Sequence, residues 1–194
     1  MANPDDQRLL GGLRRGSPKA WPEFVLAHYQ RIYRFLIHLT RDVHEAEDLT
    51  QETFAAAWEK IAAFRGGATL ATWLHRIAYT RFIDARRAKQ RAARLLERLP
   101  GAEGPSDPLE IMTADDEAQR LYRVLHRLDV PTRTLLVLHY FQGLSYPEMA
   151  DVLEEPTGTV KWRTSEALTR LRALLNDKVS DHVPRRIPES GRIS

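Results

Sequence analysis

An all-α fold of two small helical domains joined by a flexible acidic linker is predicted, on three observations. Apolar residues recur at three- to four-residue spacing along most of the chain. No segment shows the alternating pattern of a half-buried strand. The helical pattern is broken by "PGAEGPSDPLE", with three Pro and two Gly among acids. The expected boundaries are an N-terminal domain at residues 1–98, the linker at 99–115, a C-terminal domain at 116–177 and a disordered tail at 178–194.

Taken in order, the first helix is expected over residues 21–39, where Phe24, Tyr29, Ile32, Tyr33, Leu36 and Leu39 form one stripe. Pro22 suits its first turn, where a missing N–H costs little. A second helix is expected over residues 43–64. Val43, Ala46, Thr50, Phe54, Ala57, Trp58 and Ile61 share its apolar face, opposite Glu45, Asp48, Glu52 and Glu59. Gly66 and Gly67 interrupt the pattern, and a third helix starts between Thr69 and Thr72 and continues to Pro100.

Beyond the linker, helical pattern resumes near Ala114, with Leu121, Val124, Leu125 and Leu128 on one stripe. Pro131 opens the next helix, whose core face takes in Leu135, Leu136, Leu138 and Tyr140. In "QGLSYPEM", Gly143 is a stop, Ser145 an N-cap and Glu148 the acid of a capping box.

Composition narrows function. The formal net charge is +3, but residues 81–98 hold seven basic residues against Asp84 and Glu97. Residues 101–119 hold six acids and no Lys or Arg. A basic block beside an acidic one suits a polyanion-binding face followed by a solvated linker, or a plain exposed basic helix. No apolar run could span a bilayer, and the N-terminus lacks an apolar signal core, so neither membrane insertion nor secretion is expected. With no Cys, disulfides, thiolate zinc sites and thiol catalysis are excluded, and a reducing cytoplasm is the expected location. His28, His38, His75, His126 and His139 are scattered, and no Walker loop, Gly-x-Ser-x-Gly or zinc-protease motif is present. No catalytic residue, metal site or cofactor is therefore expected, although His44, Glu47, Asp48 and Glu52 have helical ligand spacing.

The stretch "EMADVLEEPTGTVKWRTSEALTRLR" reads as a short helix, an abrupt break at Glu154-Glu155-Pro156 and a longer cationic helix. Helices at residues 146–153 and 157–175 fit a helix-turn-helix, in which the second helix enters the DNA major groove. Ala150 permits a close crossing, Leu153 and Val160 supply the inner contact, and the Thr157 hydroxyl is the expected cap. Lys161, Arg163 and Arg170 would reach phosphates or base edges. The alternative is a helical hairpin that uses Lys and Arg for solubility.

The first half carries "AEDLTQETFAAAW", then Phe64 before a Gly-containing loop, "TWLHRIA" and "DARR". These motifs resemble the promoter-melting domain, region 2, of bacterial sigma-70 family sigma factors of the extracytoplasmic-function (ECF) class. The segment "LDVPTRTLLVLHYFQGLSYPEMADVLEEPTGTVKWRTSEALTRLRALL" resembles region 4 of the same family, which reads the −35 promoter element. The resemblance runs from about Ser17 to Leu175, with both halves in order and no room for the central domain of housekeeping sigma factors.

The resemblance implies a factor that binds core RNA polymerase, through its clamp coiled coil and its flap, and directs initiation at promoter DNA. Asp48, Gln51 and Glu52 would dock on the clamp. Phe64, Arg65, Trp73, Arg76, Thr80, Arg81, Arg86 and Arg87 would serve the −10 element, with the last two on phosphates. Trp73 would wedge at the melting edge or lie in the core beside Leu74 and Ile77. Many members carry Asn at the position of Thr80, so the −10 base preference is left open. Ser145, Thr157, Thr159, Lys161, Trp162, Arg163, Ser165, Glu166 and Arg170 would serve the −35 element. Small or basic residues are commoner at the positions of Trp162 and Glu166; Glu166 could accept from cytosine or orient a neighbouring Arg. An anti-sigma factor is the implied regulator, with the linker at residues 100–115 letting the domains repack around it. A stand-alone helix-turn-helix regulator is the alternative function, but it leaves the first domain unexplained and shows no dimerisation helix.

Overall fold

The computed structural model describes residues 4–96 and 116–180, all in helices, turns and short loops. The linker expected at 99–115 and the tail from residue 181 lie outside the described residues. The elements are α1 (Pro4–Arg14), α2 (Ala20–Thr40), α3 (Val43–Lys60), α4 (Leu70–Leu96), α5 (Asp116–Leu125), α6 (Val130–Leu136), α7 (Tyr146–Leu153) and α8 (Thr157–Ser180). A 3₁₀ turn, Ile61–Ala63, follows α3, and a π-helical turn, Val137–Phe141, follows α6.

In the N-terminal half, α2, α3 and α4 pack around Phe24, Phe35, Leu36, Phe54 and Leu74. Arg41 takes a left-handed conformation at the end of α2 and returns its N–H to the Ile37 carbonyl. Asp42 then caps α3, accepting from the Glu45 N–H at 2.9 Å. Sequence pattern alone did not yield α1. Its Leu9 and Leu13 are buried four residues apart, but Gly11 and Gly12 between them mimic a loop. Gly12 is needed for packing, because a Cβ there would meet the Ala20 Cβ at 3.0 Å.

In the C-terminal half, α5, α6 and α7 pack on α8 through Leu125, Leu135, Leu136, Met149 and Val160. Gln142 N–H reaches back to the Val137 carbonyl at 2.9 Å, an i to i−5 bond that makes the turn π-helical. That extra residue rotates the chain, so Tyr140, expected in the core, is 54% exposed. Trp58, also expected on an apolar face, is 58% exposed. The α8 helix starts with Thr157, and the Pro156 carbonyl receives the Val160 N–H at 3.1 Å. Pro156 therefore holds the cap position expected for Thr157. The helix also runs to Ser180, past the boundary drawn at residue 177.

The two halves are in contact. α4 packs on α7, while α2 packs on the π turn and α6. Arg31 donates to the Gln142 carbonyl and Arg133 donates to the Leu39 carbonyl at 2.9 Å. Thr72 donates to Glu148 at 3.3 Å, and Arg76 pairs with Glu154.

Candidate polymerase and nucleic-acid interfaces

On α3 the chain sorts cleanly by face. Ala46, Leu49, Thr50, Thr53, Phe54 and Ala57 are buried, while Asp48, Gln51 and Glu52 are exposed together on the opposite side. Trp58 belongs with this outer set. Seven residues separate it from Gln51, and seven steps of about 100° return to within about 20° of the starting direction. Helical-wheel arithmetic would have found it, but its four-residue spacing from buried Phe54 suggested core. Its ring meets Trp21 edge-on at 4.9 Å.

The loop before α4 is built from both ends. Phe64 is 8% exposed and packs on Trp73 at 5.0 Å, which leaves Trp73 half-buried. Arg14 of α1 donates to the Phe64 carbonyl. Gly66 takes φ 82°, a conformation that strains other residues. Thr69 opens α4 by accepting from the Thr72 N–H at 3.0 Å. A cavity of about 340 Å³ lies between α1 and this loop, lined by Asp6, Gln7, Arg14, Phe64, Arg65 and Thr69 among others. Sequence reading missed the contribution of α1 to it.

Along α4, Arg65 just upstream, Arg76, Thr80 and Arg87 are exposed, while Arg81 and Arg86 are half-buried. The Thr80 hydroxyl donates to the Arg76 carbonyl at 2.9 Å. Lys89 pairs with Glu45 at 2.8 Å, tying the basic run to α3.

In the helix-turn-helix, the Glu148 carboxylate accepts from the Ser145 N–H at 2.9 Å and the Ser145 hydroxyl at 2.6 Å. Burial alone would raise the Glu148 carboxyl, but those two bonds and Thr72 outweigh it and hold it below its ordinary value. Glu154 takes the left-handed conformation (φ 56°, ψ 40°) at the turn. On α8, Val160, Thr164, Ala167 and Leu171 are buried and Leu168 is half-buried. Thr157, Thr159, Lys161, Trp162, Ser165 and Arg170 are exposed. Arg163 is half-buried and pairs with Glu155, so it buttresses the turn. Glu166 pairs with Arg170 at 2.6 Å, one helical turn on.

The structure thus brings together Asp48, Gln51 and Glu52, and separately the outer residues of α8. Arg76 stands apart from the other cations of α4, engaged by Glu154 of the C-terminal half.

Two family descriptions match, in order: Sigma-70 region 2 at residues 24–92 and Sigma-70, region 4 at residues 118–171. The RNA polymerase sigma-H factor of Pseudomonas aeruginosa is 30% identical over 191 residues, covering 91% of this chain and 99% of its own. The ECF RNA polymerase sigma factor SigW of Bacillus subtilis is 30% identical over 181 residues, covering 88% of this chain and 97% of its own. This chain is a sigma-70 family sigma factor of the ECF class. As such it directs RNA polymerase to promoters. A solved sigma factor RpoE from Bartonella quintana, in complex with the anti-sigma factor NepR, superposes on this sigma factor with a TM-score of 0.68. The two are 28% identical, covering 81% of this chain and 98% of that one. CnrH in complex with the cytosolic domain of CnrY gives the same score at 27% identity, covering 89% and 97%. Among the described residues no helix is long and apolar enough to cross a membrane.

Proposed function

We propose that Asp48, Gln51 and Glu52 dock this sigma factor on the polymerase clamp, with Trp58 adding apolar contact area beside them. The support is their joint exposure opposite a buried face, with acids available to meet a basic coiled coil. For the −10 element, the cavity between α1 and the 64–69 loop is of a size to receive an unstacked base. Phe64 is buried, so its role is to hold the loop, leaving Arg65 and the polar edges of Asp6 and Gln7 to face the base. Trp73 supports the same loop from below. Thr80, Arg81, Arg86 and Arg87 then follow the DNA along α4, chiefly by phosphate contact. At the −35 element, Lys161, Trp162 and Ser165 face the bases, with Thr157 and Thr159 at the phosphates near the start of α8. Arg170 is held toward the backbone by Glu166. An anti-sigma factor acting in the cytoplasm completes the reading, supported by the solved RpoE, which carries the anti-sigma factor NepR.

The observation that carries this function is the ordered match of regions 2 and 4 on one chain. Run-off transcription with core polymerase on genomic fragments tests it, with discrete transcripts expected only when the chain is added. Tight promoter binding by the chain alone, without stimulation of polymerase, would favour the stand-alone regulator instead.

Base reading and phosphate holding separate in a polymerase-bound assay. Lys161→Ala or Trp162→Ala is expected to cost roughly 1–3 kcal/mol at the correct −35 element and much less on a scrambled one. Arg170→Ala is expected to weaken both about equally and to lower the salt slope by about one unit. Equal losses on matched and scrambled elements for Lys161 and Trp162 would overturn the assignment.

A further inference from the structure

The seam between the two halves contains a cluster of two imidazoles, a phenol and two guanidinium groups. His38 comes from α2 and Arg41 from its cap, Tyr122 from α5 and His126 from the turn that follows it, and Arg133 from α6. The His38 and Tyr122 rings are 5.9 Å apart, and those of Tyr122 and His126 are 4.2 Å apart. His126 and Arg133 are 8% and 6% exposed. Arg133 reaches one acceptor across the seam, the Leu39 carbonyl at 2.9 Å. Among the described residues, His38 Nδ1, Arg41 Nε, the Tyr122 hydroxyl, both His126 ring nitrogens and Arg133 Nε are buried without a partner.

The charges facing this cluster are mostly of one sign. Arg34 acts on His38, Arg41 and Arg133 act on His126, and Arg86 of α4 acts on Arg133. Tyr33 faces Tyr122, and Asp129, exposed at the start of α6, is the carboxylate that acts on Arg133. A charged imidazole here would add to two guanidinium charges in a seam with little water to screen them.

The same closed packing covers part of α4. Thr72 and His75 are buried, α7 lies on α4, and Arg76 pairs with Glu154. His75 Nε2 meets the Gln142 side-chain oxygen at 3.3 Å, and its Nδ1 meets the Ala71 carbonyl at 2.7 Å.

We propose that this cation-crowded seam makes closure of the two halves proton-sensitive: near neutrality the chain closes on itself and covers the Thr72–Arg76 edge of α4, and acid opens it. The proposal rests on the sigma-factor reading only for its consequence, namely that the covered edge belongs to the helix assigned to the −10 element.

The sign follows from the histidines. Burial, reinforced by Arg34, lowers His38 to about 4. Burial, reinforced by Arg133, Arg41 and His38, lowers His126 to about 3. In an open chain both return toward about 6.5. Both are therefore neutral when closed, so their contribution to closure is complete above about 6.5 and is lost as pH falls from there toward 4. His75, lowered to about 4 by burial, acts in the same direction, opposed by its two acceptors.

The absence of Cys allows two dyes to be attached at introduced cysteines, Glu59→Cys on α3 and Thr169→Cys on α8, both exposed. Energy transfer between them is expected to stay constant from pH 8 to 7 and to fall between 6.5 and 5, with far-UV helical signal unchanged. At pH 5.5 the closed-to-open ratio should drop about three- to ten-fold for each of His38 and His126. His38→Phe with His126→Phe should hold the chain closed about one pH unit lower, and the corresponding Gln pair serves if the Phe pair misfolds. Glu154→Arg, an exposed change, should reduce transfer at every pH. Transfer that is flat from pH 8 to 5.5, or a fall unaltered in the histidine variants, would overturn the proposal. Run-off transcription reports the sigma function independently of this titration.

Discussion

Reversing charge at both Asp48 and Glu52 to Lys is expected to weaken assembly with core polymerase about 100-fold or more. Each change replaces an attraction by a repulsion at a docking face, and about 1.5 kcal/mol for each gives about 3 kcal/mol in all. Both side chains are exposed, so the helix and the core behind it stay intact. Neither lies in the first turn of α3, so the helix dipole contributes little. Competition binding against the parent chain measures the effect, with Asp151→Lys, an exposed change on α7, as the control. Unchanged affinity in the double variant, with normal helical signal, would sink the docking assignment.

The largest expected loss of stability comes from Phe24→Ala. Phe24 is 0% exposed and its ring meets Trp21 at 5.3 Å, His28 at 5.0 Å and Phe54 at 5.9 Å. These neighbours come from α2 and α3, whose backbones are fixed by their own packing, so the space cannot collapse fully. Removing the ring should cost about 3–5 kcal/mol. In urea the unfolding midpoint of the N-terminal half should fall by roughly 1–3 M. A shift below about 0.5 M would mean that the ring does not anchor this core.

Elements with a single, strong period were legible in the sequence: α2, α3, α4 and the helix-turn-helix all follow apolar stripes with recognisable starts. What escaped has specific physical causes. α1 was hidden because Gly11 and Gly12 dilute its pattern, although Gly12 is there for the close approach to Ala20. A regular α-helical step predicts Tyr140 in the core, whereas the π turn shifts the register by one residue. Trp58 has core spacing from Phe54 and outer-face alignment with Gln51, and the structure follows the second. At the site, exposure could be read from periodicity, as on α3 and α8. Long-range pairing could not, and so the engagement of Arg76 by Glu154 and of Arg133 by the Leu39 carbonyl came only with the structure.

The attachment of α1 to the 64–69 loop limits how this protein can be taken apart. The Sigma-70 region 2 match begins at residue 24, ten residues after α1 ends at Arg14. A chimaera that exchanges only the matched segment would leave one protein's α1 against another's loop. Arg14 would then face a foreign carbonyl, and Asp6 and Gln7 would border a foreign cavity. Modular exchange of −10 preference between relatives should therefore move α1 together with region 2. An affinity handle fused at the N-terminus would crowd the same wall, so labels belong away from it and from the DNA-facing side of α8, as at the exposed Asp151 of α7.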